Sequence, residues 1–274
     1  MQIQRMHAIS SLGIALQSLF ESVESVTPRE FSYNPWHGCR RWSTGCKNCF
    51  IYTIDSIINV DTMKLHKNKD FYLPIAKNRA GNYKIPDGSI VWLCFSSDFL
   101  IEGADSWRSA VWEMIRARSR CTFIFFTKRI HRLDMCLPSD WGMGYENVII
   151  GCSVETQKCA DERLGIFLNL PIKRRYIIAA PLLQELHLEK YLHKDRIELV
   201  SAGGESGYRA RACHYDWVLG LRLQCFEAEI SFSFHQTGAN FIKNGKVYRI
   251  PKKLQRKQAQ KAGIDLDFFT DSKM

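Results

Sequence analysis

Residues 122–129 read Thr-Phe-Ile-Phe-Phe-Thr-Lys-Arg, and residues 147–155 read Asn-Val-Ile-Ile-Gly-Cys-Ser-Val-Glu. Each is a short, nearly continuous run of Val, Ile and Phe that ends in polar or charged residues. Strands buried on both faces of a parallel sheet read this way, whereas half-solvated strands alternate. The pattern recurs at 89–95, 175–179, 197–202 and 230–234, and a first strand fits 31–36. Helix-like stretches lie between the runs at 106–118, 156–168 and 215–228. In the first of these, Trp107, Val111, Met114 and Ile115 form one apolar stripe. Strand alternating with helix predicts an α/β fold with a parallel sheet. With an eighth strand in 63–86, the pattern predicts a TIM-like (β/α) barrel, complete or slightly irregular, over 31–240. A doubly wound open sheet is the alternative.

The ends of the runs favour the barrel, because nearly all of them carry chemistry. Ser96, Ser97 and Asp98 follow the second run, Thr127, Lys128 and Arg129 the third, and Ser153 and Glu155 the fourth. Gly203, Gly204 and Glu205 follow the sixth, and His235 and Gln236 the last. Active sites of parallel α/β folds lie at the carboxyl ends of the strands, so in a barrel these groups would share one mouth. Lys128 or Arg129 suits a carboxylate or phosphate. Glu155 suits a helix cap or a ribose hydroxyl.

Of the 274 residues, 46% are hydrophobic and 24% charged, which excludes a disordered, collagen-like or disulfide-knotted chain. No stretch approaches a membrane span. The N-terminal residues 1–25 read as a modest amphipathic helix rather than a signal peptide, so a cytoplasmic protein with reduced thiols is expected. Basic residues number 38 against 28 acidic, a surplus that points to a polyanionic partner. The surplus is concentrated. From Ile230 to Ile264 there is no Asp or Glu, but Lys243, Lys246, Arg249, Lys252, Lys253, Arg256, Lys257 and Lys261. Phe241 and Tyr248 stand among them, which suits phosphate contact beside base stacking. The bland reading is a solvated basic helix from about residue 252. The chain therefore divides into an N-terminal helical extension (1–30), the barrel, and a basic C-terminal segment (241–274) packed on it.

The segment Tyr33-Asn-Pro-Trp-His-Gly-Cys39-Arg-Arg-Trp-Ser-Thr-Gly-Cys46-Lys-Asn-Cys49 holds three of the ten cysteines in a Cys-x6-Cys-x2-Cys spacing. The other seven sit mostly in apolar runs and read as small core residues. Arg40, Arg41 and Lys47 favour thiolates. Three close thiolates suit an iron–sulfur cluster, or a zinc ion with His37 as fourth ligand, or no metal. Three cysteines on a four-iron cluster leave one iron open.

The chain resembles the three-Cys-motif family of phage and bacterial proteins, a family similar to radical S-adenosylmethionine (SAM) enzymes. The resemblance covers about residues 31–265. It rests on Asn34–Cys39, on Ser43-x-Gly-Cys46-x-Asn-Cys49, on Phe126-Thr-Lys-Arg129, and on Val154-Glu-Thr-Gln157 with Ala160-Asp-Glu-Arg163. Ala180-Pro-Leu-Leu183 and Gly203-Gly-Glu-Ser-Gly207 complete it. It implies a radical-SAM-like barrel with a [4Fe-4S] cluster on Cys39, Cys46 and Cys49. It also implies SAM bound at the open iron, with Ser96, Ser97 and Asp98 around its ammonium. Gly203-Gly204-Glu205 matches the ammonium-binding Gly-Gly-Glu of such enzymes in letters, at a different strand. Glu155, Gly203 and Gly204 are thus cofactor-binding candidates, and Glu205 and Lys128 catalytic ones. Two features depart from the usual radical-SAM pattern: the first gap is six residues rather than three, and Asn48 replaces an aromatic residue. The expected function is modification or repair of a nucleic acid or nucleotide-containing substrate, with Lys243, Lys246, Arg249, Lys252, Lys253, Arg256 and Lys257 as nucleic-acid contacts. The expected partners are that nucleic acid, an electron donor and a separate partner protein, with no membrane. The rival is a zinc-stabilised Cys3His nucleic-acid-binding protein without catalysis.

Overall fold

The computed structural model describes residues 28–268. The helix expected over residues 1–25 lies outside them. Seven parallel strands form one sheet: β1 (Glu30–Tyr33), β4 (Ile90–Leu93), β5 (Thr122–Thr127), β6 (Val148–Ser153), β7 (Arg174–Ala179), β8 (Leu199–Gly203) and β10 (Ser231–Gln236). They stand side by side in chain order. Six of them were legible as apolar runs, and β1 overlaps the first strand expected over 31–36. Two short strands, β2 (Trp36–His37) and β3 (His66–Lys67), pair antiparallel outside this sheet. A third sheet joins β9 (Ala212–His214), β11 (Asn240–Lys243) and β12 (Lys246–Arg249), with β11 in the middle.

The expected closed barrel is corrected to an open, curled sheet. The eighth strand expected in 63–86 does not join it, because His66–Lys67 pairs with β2 instead. The free edge of β10 is also occupied. Phe232 and Leu266 exchange backbone hydrogen bonds of 2.9 and 2.8 Å, and Asp265 accepts from the Phe234 N–H at 2.7 Å. With that edge satisfied by the C-terminal segment, β10 has no ladder to offer β1.

Helices α1 (Phe50–Ile57), α2 (Asp105–Ala117), α3 (Leu133–Cys136), α4 (Gln157–Asn169), α5 (Tyr215–Glu227) and α6 (Lys252–Lys261) complete the described residues. The expected alternation fails between β7 and β8, where the connection carries only a 3-10 turn at Glu189–Tyr191.

The two faces of the sheet differ. Val91, Leu93, Phe123, Phe125, Ile150 and Ile177 belong to one large core with Val111, Ile115, Leu164, Phe167 and Leu221 of the helices. Their register neighbours on the other face are Trp92, Ile124, Phe126, Gly151, Tyr176, Ile178 and Ser201. Ile124, Ile149 and Ile178 are buried yet lie outside that core, and Trp92, Phe126, Tyr176 and His235 are only half-buried. The continuous apolar runs implied burial on both faces. An open sheet instead leaves its second face lined by aromatic rings and partly accessible.

Candidate functional site

The cysteine loop starts where β2 ends. Gly38 has φ +105°, and a side chain there would press on Lys64 and Leu65. Its N–H donates to the Ser96 carbonyl (3.3 Å), and the Cys39 N–H donates to the Thr62 carbonyl (2.7 Å). From there the loop crosses the carboxyl ends of the strands and is fastened at four of them. At β4, the Ser97 hydroxyl donates to the Gly38 carbonyl. At β5, Arg129 donates to the Arg40 carbonyl (2.8 Å) and lies 5.2 Å from the Trp42 ring centre. At β6, the Ser43 hydroxyl donates to Glu155 (2.5 Å), and Gly45 leaves room for that carboxylate, which a Cβ would overlap. Beyond β8, the Asn48 amide donates to Glu205 (2.9 Å) and to the Arg209 carbonyl (2.8 Å), while Arg211 reaches the Thr44 carbonyl (3.0 Å).

Among the ten cysteines, Cys39, Cys46 and Cys49 are the ones that are not buried. They feel one another electrostatically. Burial, then Asp98, pushes the Cys39 thiol up to about 12, with Cys46 and Cys49 adding to the rise and Arg129 opposing it. Burial likewise raises Cys49; the N–H groups of Ile51 and Tyr52, at the start of α1, and the Lys128 ammonium pull it back. Burial opposes the charge on Lys128, but Glu155 and Cys46 outweigh it, so its pKa is raised. Arg129 thus acts electrostatically on Cys39, and Lys128 on Cys46 and Cys49. The Trp42 N–H donates to the Cys46 sulfur at 3.5 Å. The buried Nε of Arg129 has no hydrogen-bond partner and faces the Glu102 carboxylate at 3.8 Å. Among the described residues, no three His, Cys, Asp or Glu side chains are gathered tightly enough to share one metal ion. His37 is engaged through Nε2 with the buried Asp55 carboxylate at 2.9 Å.

Buried charge holds this end of the sheet together. Glu155 is fully buried between Lys128 (3.3 Å) and Arg163 (2.8 Å). Burial would raise its pKa, but the two cations and Ser43 bring it below the ordinary value. Asp98 accepts from the Thr127 hydroxyl (2.8 Å) and the Leu100 N–H (2.9 Å) through one oxygen. Its other oxygen takes the Lys128 N–H (3.1 Å) and pairs with Arg129 (3.3 Å). Glu205 is gripped by Arg211 through both oxygens (2.6 and 3.1 Å).

Ser96, Ser97, Asp98, Lys128, Glu155 and Glu205 are therefore brought together with the three cysteines, as residues that hold the loop and carry its charge. Gly203 and Gly204 are close-packing positions: side chains there would overlap the His235 ring and the Thr237 carbonyl. Lys243, Lys246, Arg249, Lys252, Lys253, Arg256 and Lys257 lie apart, exposed on β11, β12 and α6. Arg163, Arg211, Ser43 and Asn48 were not picked out as site residues, although three of them stand inside the motifs quoted above. Trp36, fully buried and stacked on Phe99 at 5.6 Å, packs the loop entrance.

On the open face, His235 Nδ1 lies 2.9 Å from the Ser201 hydroxyl. Burial, then Arg256, lowers the His235 pKa from 6.5 to about 4. A depressed histidine contributes fully above about 6.5, and its contribution is lost as pH falls toward 4. The depression is worth ~3 kcal/mol. Urea titrations at pH 7 and pH 4.5 should therefore differ by an amount that His235→Asn largely removes. An unchanged difference in the variant would reject the assignment.

No curated protein and no solved structure matches the chain. A family model does match residues 25–274, nearly the whole length, and the chain therefore belongs to the family described as "Protein of unknown function (DUF5131)".

Proposed function

We propose that the protein is an iron–sulfur enzyme of the radical SAM type, acting on a nucleic acid or nucleotide-containing substrate. The observation that carries this reading is the loop itself. The three accessible thiols of the chain are fastened across the carboxyl ends of parallel strands, within electrostatic reach of Lys128 and Arg129. The donor set fits a cluster. Thiolates on an iron–sulfur core need nearby positive charge and N–H donors, which Lys128, Arg129 and the Trp42 N–H supply. A single zinc with His37 as fourth ligand is the alternative; His37 Nε2 already lies 2.9 Å from the Asp55 carboxylate. A cluster spreads its cysteines over several irons. The resemblance of the loop and strand-end motifs to three-Cys-motif proteins supports the same reading.

Cys39, Cys46 and Cys49 would hold a [4Fe-4S] cluster, which when bound supplies the single electron for reductive cleavage of SAM. The protein's own residues do the rest. Asp98 and Glu155 lock the strand ends and hold Arg129 and Lys128 beside the loop. Ser96 and Ser97 fix the loop entrance through the Trp36 and Gly38 carbonyls and stand, with Asp98, where the SAM ammonium is expected. Phe95, just before them, is exposed and stacks near Trp92 (6.1 Å), with Phe126 5.7 Å from Trp92. This aromatic surface suits the adenine of SAM. Neutral His235, held by Ser201, offers the open face a hydrogen-bonding group for an uncharged polar substrate atom.

With dithionite, anaerobic protein should convert SAM to 5′-deoxyadenosine and methionine. SAM should also change the electron paramagnetic resonance spectrum of the reduced protein. A cluster-containing protein that shows neither effect would overturn the SAM assignment.

A further inference from the structure

The last third sheet and α6 form a cationic module with no built-in counterions. Lys243, Lys246 and Arg249 are exposed on the β11–β12 hairpin, and Lys252, Lys253, Arg256 and Lys257 are exposed on α6. Among the described residues, Asp267 aside, no Asp or Glu lies within ion-pair distance of any of them. Other exposed cations of the chain do have carboxylate partners, as in Arg174–Glu198 (2.8 Å) and Lys194–Glu229 (2.6 Å). Seven uncompensated charges on one small unit repel one another, an arrangement relieved by a polyanion.

The module is also tied to the cysteine loop. The Ser206 hydroxyl donates to Gln255 of α6 (2.7 Å), and the Ala239 N–H donates to the Glu205 carbonyl (2.9 Å). Residues 206–211 then touch the loop through Asn48 and Arg211. This bridge carries Arg209, exposed, and Tyr208, whose side chain is completely exposed. Tyr248 on the hairpin and Trp42 on the cysteine loop are each nearly half exposed. Large rings left in water between cations are poor for solubility and good for stacking on unpaired bases.

We infer that the hairpin, α6 and the 206–211 bridge bind single-stranded nucleic acid and lead it to the cysteine loop. Phosphates lie on the cations, and bases stack on Tyr248 and Tyr208. A duplex would satisfy the cations but not the rings, since its bases face one another. Its bases are also out of reach of the sheet's open face unless extruded. This inference deepens the reading above by naming the substrate's form, and binding can be measured without any cluster.

The test is fluorescence anisotropy with a labelled oligothymidylate of about 20 nucleotides and a duplex of equal length. The single strand should bind tighter, and with about four phosphates engaged its log–log salt slope should be near −2.8. Reversing charge at Lys252, Lys253, Arg256 and Lys257 should flatten that slope. Tyr208→Ala with Tyr248→Ala should weaken the single strand about fivefold or more while leaving the slope unchanged. These two rings are exposed, so the pair tests the idea even if the charge-reversed chain folds poorly. No binding at low salt, equal or tighter duplex binding, or wild-type affinity in both variants would overturn the inference. Iron is measured on the same samples. An iron-free protein that binds the strand refutes the cluster reading alone, and an iron-loaded protein that binds no strand refutes this one alone.

Discussion

Anaerobically purified protein is expected to be brown, with iron and acid-labile sulfide near equal at about four each per chain. Cys39→Ala, Cys46→Ala and Cys49→Ala should each bleach it. Cys121→Ala should not, because Cys121 is buried in the core, where Arg118 donates to its sulfur at 3.2 Å. Such a contrast separates ligation from a general need for thiols. It also follows from exposure: seven cysteines are buried, and the three of the loop are half-buried. Stoichiometric zinc, lost on changing His37, would overturn the cluster and restore the Cys3His alternative. Colour that survives all three single changes would exclude the loop as the site altogether.

Glu155→Gln is expected to cost 3–5 kcal/mol of stability, because it leaves two cations beside a neutral amide in a buried place. Lys128 and Arg163 both point at this carboxylate, and neither has another carboxylate within ion-pair distance among the described residues. The loss should appear as a lower urea midpoint with an unchanged slope. It should also carry a pH signature. The wild-type carboxylate titrates below its ordinary 4.5, so its contribution is present above that pH and drains away as pH falls further. Wild type and variant should therefore converge in acid. A difference under about 1 kcal/mol at neutral pH would mean that Lys128 and Arg163 find other partners. Ser43→Ala, which removes only the loop's hydrogen bond to Glu155, should cost far less and mainly loosen the cysteines.

The strand ends explain why so much of the site was legible. A buried parallel strand must stop where its side chains meet water or one another's charge. Polar residues at those stops are few and conspicuous, and Asp98, Lys128, Glu155 and Glu205 were found this way. Their partners were harder. Arg163 sits on α4 and Arg211 before β9, each separated in sequence from the loop it serves. Nothing in local spacing says that Arg163 turns toward Glu155 rather than water. The same limit applies to the roles. Asp98 reads as a ligand-binding acid until its oxygens are seen to be filled by Thr127, Leu100, Lys128 and Arg129.

Periodicity and residue type alone determined the seven parallel strands, the helices α2, α4, α5 and α6, the singular cysteine loop and the acid-free basic tail. These are local properties, written in which residues are apolar and how often they recur. Closure of the sheet was decided only in three dimensions. Pairing of β10 with Leu266, and of β3 with β2, consumes backbone groups that a barrel would need, and hydrogen-bond competition between distant segments leaves no local trace. The open second face follows from that outcome. The basic module joins the cysteine loop through contacts of Gln255, Ser206 and Asn48 that no local pattern announces. Tertiary contacts chose which chemically suitable groups would meet, because each contact is settled by the burial of many side chains together and not by any one stretch of chain.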